Sequence, residues 1–73
     1  MYAPHEQRVV DEKAELDEKL QKLLTFHGSA TFAGLPDAEQ DRLIRQPVVM
    51  GEYSAILGER IAAFPVDPKA VNL

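Results

Sequence analysis

The sequence predicts an all-α protein: a long N-terminal helix packed on a second helical segment that is kinked or broken near Pro47, assembling as a homo-oligomer. Three observations carry that prediction. Val9, Leu16, Leu20 and Leu23 keep to one helical stripe, and no Gly or Pro interrupts residues 5–24. The run Leu35-Pro36-Asp37-Ala38-Glu39-Gln40 is a helix start, with Pro in the first turn and acids beside the positive helix end. Beyond Pro47 the helical period resumes, with Val49, Tyr53 and Ile56 on one side and Met50, Leu57, Ile61 and Phe64 on another.

Taken in order, residues 1–4 form a short lead into a helix over residues 5–26. Pro4 sits at or just before the first turn, where its missing N–H costs nothing, and Glu6 lies near the positive helix end. Glu15 and Lys19, and Glu18 and Lys22, are Glu-before-Lys pairs four apart, each worth about 0.2 to 0.5 kcal/mol. The helix should end near Gly28, which can take the left-handed conformation of a C-cap. Phe26, Phe32 and Leu35 are the expected anchors of the connector, and His27 is read as a loop residue near the negative helix end. The second helical segment spans residues 36–64. Pro47 interrupts it because the proline has no N–H and its ring opposes the carbonyl of Leu43. The wide apolar arc after Pro47 suits a helix packed both on its own partner and on neighbouring chains. Gly51 and Gly58, seven apart, each cost about 1 kcal/mol relative to Ala, which close approach of another helix would offset. Pro65 stops the segment, and residues 65–73 read as a flexible tail.

Composition restricts the function. At 73 residues there is room for one small domain, and such chains need a staple. Without cysteine there is no disulfide, thiolate metal site or thiol catalysis, and two His with no clustered ligand pattern argue against a metal. Oligomerisation remains. A net charge of −4 and a pI near 5.0 argue against binding to DNA or RNA polymers or to an anionic membrane, because that affinity comes from many Lys and Arg. A small phosphate ligand is compatible, since a few basic groups converging locally outweigh a distant acidic surface at physiological screening. Neither a membrane span nor the apolar core of a signal peptide is present, so the expected compartment is the cytoplasm.

A second stripe on the first helix is polar: His5, Arg8, Glu12, Glu15, Lys19 and Lys22 share a face. It is either a solvated charged face or a ligand surface with a ring at one end and lysines at the other. From His5 to Lys19 is fourteen residues, about 21 Å of helix, so one copy cannot close both ends on one small ligand. Two copies can. Lys13 falls on the apolar seam, either laying its methylenes on the seam with a wet ammonium or lining a cavity between subunits. No Gly-rich phosphate loop, His-based metal motif or Ser/His/acid set is present, and the chain is expected not to be an enzyme.

The ordered set Gln7-Arg8-Val9-Val10-Asp11-Glu12-Lys13-Ala14-Glu15-Leu16-Asp17-Glu18-Lys19, then Leu35-Pro36 with Glu39-Gln40 and Leu43, then Met50, Tyr53-Ser54 and Leu57-Gly58-Glu59-Arg60-Ile61, resembles a family of small phage proteins. These sponge up cyclic oligonucleotides and so counter the bacterial anti-phage signalling system CBASS. The resemblance spans residues 5–64. It implies a helical hexamer that binds 3′,3′-cGAMP, other cyclic dinucleotides and cyclic trinucleotides between subunits, in the host bacterial cytoplasm, without cofactors and without cleaving the ligand. Carried onto this chain, it places Tyr2 and His5 at an aromatic end for the dinucleotide and Lys19 at its phosphate, with Arg8 and Lys22 on the same polar stripe. Arg60 falls in the trinucleotide site, with Gln21 as an adjacent candidate. Two departures stand out: His5 where a tyrosine is usual, and Pro47 within a segment the family keeps helical. The alternative is a helical interaction or regulatory module whose apolar seam binds another protein and which has no nucleotide ligand.

Overall fold

The computed structural model describes residues 1–65. It contains α1 (Pro4–Phe26), a single-turn α2 (Ala30–Ala33) and α3 (Asp37–Ala62), and no strand among the described residues. The expected tail beyond residue 65 lies outside them. Helices α1 and α3 pack antiparallel, as contacts from both ends show: Tyr2 meets Phe64 at the open end, and His27 meets Leu43 at the connector end.

Helix α1 starts where the proline rule places it. Pro4 is the first helical residue and Ala3, extended at φ −63° and ψ 158°, is the N-cap. Ala3 has no side-chain oxygen to give, so the cap is one-sided: the Glu6 carboxylate accepts the Ala3 N–H at 2.7 Å and is buried in doing so. The other end corrects the expectation for Gly28. His27 is the C-cap in the right-handed conformation, and no glycine among the described residues has a positive φ. The chain passes directly into α2 instead, through Ser29. Its hydroxyl donates to the Phe26 carbonyl at 2.7 Å and accepts the Phe32 N–H at 3.1 Å, so one side chain ends α1 and caps α2.

The connector anchors fall largely as the sequence suggests. Phe26 and Phe32 meet edge to face with centroids 6.0 Å apart, and the His27 ring lies 5.0 Å from Phe32. The α2 turn has no counterpart in the sequence reading. Its last two carbonyls and that of Leu35 are taken up by Gln40 in the first turns of α3, whose amide nitrogen lies 3.1 Å from Phe32 O, 3.2 Å from Ala33 O and 3.1 Å from Leu35 O. Pro36 is the N-cap of α3, with Asp37 and Glu39 in the first turn complementing the positive end.

Helix α3 runs unbroken through Pro47, so the break allowed by the sequence does not occur. An interior proline deprives the carbonyl four residues earlier of its donor. Here that carbonyl belongs to Leu43, and the His27 ring supplies a replacement through Nε2 at 2.7 Å.

The seam between α1 and α3 is shallow. Val9 and Leu57 are its only buried apolar side chains among the described residues, with Leu16, Leu20, Leu23, Met50, Ile61 and Phe64 half-buried around them. Ile44, Val48, Val49, Tyr53 and Ile56 of α3 remain exposed, at 41 to 64% of their full area. Gly58 has the close neighbour that its cost calls for, because a Cβ there would sit 3.3 Å from Lys13 Cε. Gly51 has none within 4 Å in the single chain.

Two substitutions test this packing by urea unfolding. Leu57→Ala removes the one fully buried side chain among the described residues and is expected to cost about 2 to 5 kcal/mol. Gly51→Ala is expected to stabilise the hairpin by up to about 1 kcal/mol, since the methyl group meets open space. Destabilisation by Gly51→Ala would show that another chain fills that space.

Candidate functional site

The hairpin sorts the candidate residues into two groups by position along its axis. Tyr2, His5 and Arg8 stand at the open end, on the lead and first turns of α1, beside Arg60 in the last turn of α3. Tyr2 is held there by the Phe64 ring, edge to face at 6.0 Å, and keeps 44% of its area exposed. Its contact with Phe64 fixes the ring while leaving surface on which a base can lie. Lys19, Gln21 and Lys22 lie in the second half of α1, toward the connector. His5 to Lys19 remains about 21 Å along the helix axis. With His27 opposite Leu43, Gln21 stands level with about residue 49, so Arg60 is roughly 17 Å further along α3. A single chain therefore brings Tyr2, His5, Arg8 and Arg60 to one end but joins neither the ring to the lysines nor Arg60 to Gln21.

The polar stripe is fully open in the single chain: His5, Arg8, Glu12, Glu15, Lys19 and Lys22 are all exposed. The ion pairs among the described residues are Lys13–Asp17 at 2.8 Å, Lys22–Glu18 at 3.1 Å, Arg42–Glu39 at 2.7 Å and Arg45–Asp41 at 2.9 Å. Of the two Glu-before-Lys pairs expected on α1, the Glu18–Lys22 pair forms and the Glu15–Lys19 pair does not. Lys19, Arg8 and Arg60 thus take part in no ion pair among the described residues, and their charges are available to an anion. Lys22 has to leave Glu18 to reach one, at the small cost of an exposed pair, about 0.3 to 0.5 kcal/mol.

The Lys13 side chain keeps 31% of its area exposed on the seam, and its ammonium is tethered there. It donates to Asp17 Oδ2 at 2.8 Å and to Ser54 Oγ at 3.0 Å across the helix interface, while the Ser54 hydroxyl donates to Asp17 Oδ1. Three side chains close a ring of hydrogen bonds, and the absent Cβ of Gly58 leaves room for the lysine stem. Ser54 is buried, so its hydroxyl needs these partners. The bond from Lys13, then that from Ser54, hold the Asp17 carboxyl below its ordinary value of 3.8, with partial burial opposing. Sequence reasoning missed this polar node, although Ser54 and Gly58 both interrupt the inner stripe of α3 opposite a lysine interrupting that of α1.

A family model described as Sequestin matches residues 3–63. The chain belongs to the Sequestin family. This is the family of phage anti-CBASS cyclic-nucleotide sponges that the sequence resembles. The Sequestin match runs from the N-cap of α1 to the C-cap of α3, so it takes in the whole hairpin and every candidate residue except Tyr2. Comparison with curated proteins and with solved structures gives no match. None of the helices among the described residues of this Sequestin hairpin is long and apolar enough to cross a membrane.

The Asp17 node predicts an acid dependence with a defined sign. Because the folded pKa is depressed, the carboxylate contributes stability in full above its unfolded value of 3.8 and loses it as pH falls through the lower folded value. Stability measured against pH for the native chain and Asp17→Asn should show a steeper acid limb in the native chain. Parallel limbs would mean that Asp17 does not titrate with folding.

Proposed function

We propose that this protein is a non-enzymatic sponge that binds cyclic di- and trinucleotides between its subunits, lowers their free concentration in the host bacterial cytoplasm and keeps CBASS effectors off. The observation that carries the reading is membership of the Sequestin family over residues 3–63. The division of the polar stripe into two ends too far apart for one chain supports the siting of pockets between chains.

In this reading Tyr2 and His5 stack on the bases of a cyclic dinucleotide with Arg8 of the same copy beside them, while Lys19 of another copy, with its neighbour Lys22, binds the phosphates. A cyclic dinucleotide is close to two-fold symmetric, so two chains related by a two-fold axis present every contact twice. Two stacked bases and two phosphate bonds give about 5 to 12 kcal/mol before the cost of association. That reaches useful affinity without any net positive charge. Arg60 serves a separate trinucleotide site with Gln21, where several chains converge. The exposed apolar face of α3 at Ile44, Val48, Val49 and Ile56 suits contacts between copies, and the family points to a hexamer.

Calorimetry with 3′,3′-cGAMP and with cyclic tri-adenylate tests the proposal, followed by chromatography of ligand released by heat. Intact ligand should be recovered, and linear products would make the protein a nuclease. Lys19→Ala should weaken the dinucleotide at least tenfold and spare the trinucleotide, with Arg60→Ala doing the reverse; loss of a single charged hydrogen bond sets that scale. Absence of micromolar binding, together with a native mass of one or two chains and a captured protein partner, would favour the interaction module instead.

A further inference from the structure

We propose that His27 acts as a surrogate for the amide proton that Pro47 lacks, a conformational device that keeps α3 continuous only while α1 is docked against it. Three facts meet at one atom. Pro47 lies inside α3, the carbonyl left without its helical donor is that of Leu43, and His27 Nε2 lies 2.7 Å from that same carbonyl oxygen. A carbonyl oxygen only accepts, so the imidazole nitrogen facing it carries the proton. In the neutral ring this selects the Nε2–H tautomer; in the charged ring both nitrogens donate. The ring is aimed rather than free, because it also lies 5.0 Å from Phe32, whose own amide is held by Ser29.

The donor comes from the C-cap of the other long helix, twenty residues earlier in the chain than Pro47. Continuity of α3 is thereby conditional on the hairpin being closed. Undocking α1 strips Leu43 of the His27 donor, and Pro47 regains its ordinary tendency to break the helix. The segment after Pro47, with exposed Val48 and Val49, is thus aligned with the first turns of α3 by a contact made on α1.

A double-mutant cycle on the full chain tests this, comparing the native protein, His27→Phe, Pro47→Ala and the double variant by urea unfolding at one protein concentration. Phenylalanine keeps the ring against Phe32 and removes the donor; alanine in place of the proline restores the helical N–H to Leu43. His27→Phe should raise the unfolding constant about tenfold with Pro47 present and less than about twofold in the Pro47→Ala background. His27→Gln, which retains an amide donor, should fall between. If His27→Phe fails to fold with Pro47 present but folds once Pro47→Ala is added, the proposal stands. Equal losses in both backgrounds would overturn it. So would imidazole ¹⁵N shifts of the native protein showing His27 neutral with its proton on Nδ1.

Discussion

Two helices lying side by side can shield only one stripe on each, and in this chain that stripe closes completely over very little, with Val9 and Leu57 alone in the apolar core of the described residues. At about 25 cal/mol per Å² of apolar area, so thin a seam leaves little margin against the entropy of ordering two long helices. Everything else in the architecture can be understood as a response to that deficit. The one-sided cap by Glu6, the Ser29 bridge between α1 and α2, and the Gln40 amide gathering the α2 carbonyls each satisfy backbone groups at an end where helices fray. The apolar side chains of Ile44, Val48, Val49 and Ile56 on α3 add nothing to the seam, because they remain exposed.

With little core to enforce a register, the hairpin relies on directional contacts. The ring formed by Lys13, Asp17 and Ser54 matches donors to acceptors across the interface, and a slide of α3 by one residue would carry Ser54 away from both partners. Tyr2 on Phe64 and His27 on Leu43 hold the two ends in the same alignment. Polar groups half-buried between helices tend to add specificity more than stability, and here they fix which residues of α1 stand opposite which of α3. The lysines of the polar stripe on α1 and Arg60 on α3 are consequently held at a defined separation along the hairpin.

Local rules in the sequence located the helices well, because periodicity and proline placement are read one turn at a time. The expected range 5–26 compares with Pro4–Phe26, and 36–64 with Asp37–Ala62. The same rules failed where the answer came from far along the chain. Pro47 reads locally as an interruption, and the donor that relieves it belongs to His27. Gly28 reads locally as a left-handed cap, yet the next residues found a better use as a turn of helix capped by Ser29. Lys13 is visible on the seam, but its partner Ser54 is 41 residues away. For the candidate site, the sequence displays the residue types and their separation along α1. The neighbourhood of Tyr2, His5, Arg8 and Arg60 at one end needs the antiparallel fold, and no single chain can bring the ring to the lysines.

The Glu6 cap constrains the orientation of anything negatively charged that approaches α1. The first turn of a helix ordinarily offers anions a partial positive charge and free N–H groups. In this chain a carboxylate of its own already occupies that position, bonded to Ala3 at 2.7 Å and withdrawn from water. A phosphate is therefore refused the helix end of α1 itself and finds positive charge there on the exposed side chains of Arg8 and Arg60 instead, while the exposed part of Tyr2 presents an uncharged aromatic face. The start of α1 has thus spent its helix-end charge on a group of its own, and what it offers outward is carried by side chains alone.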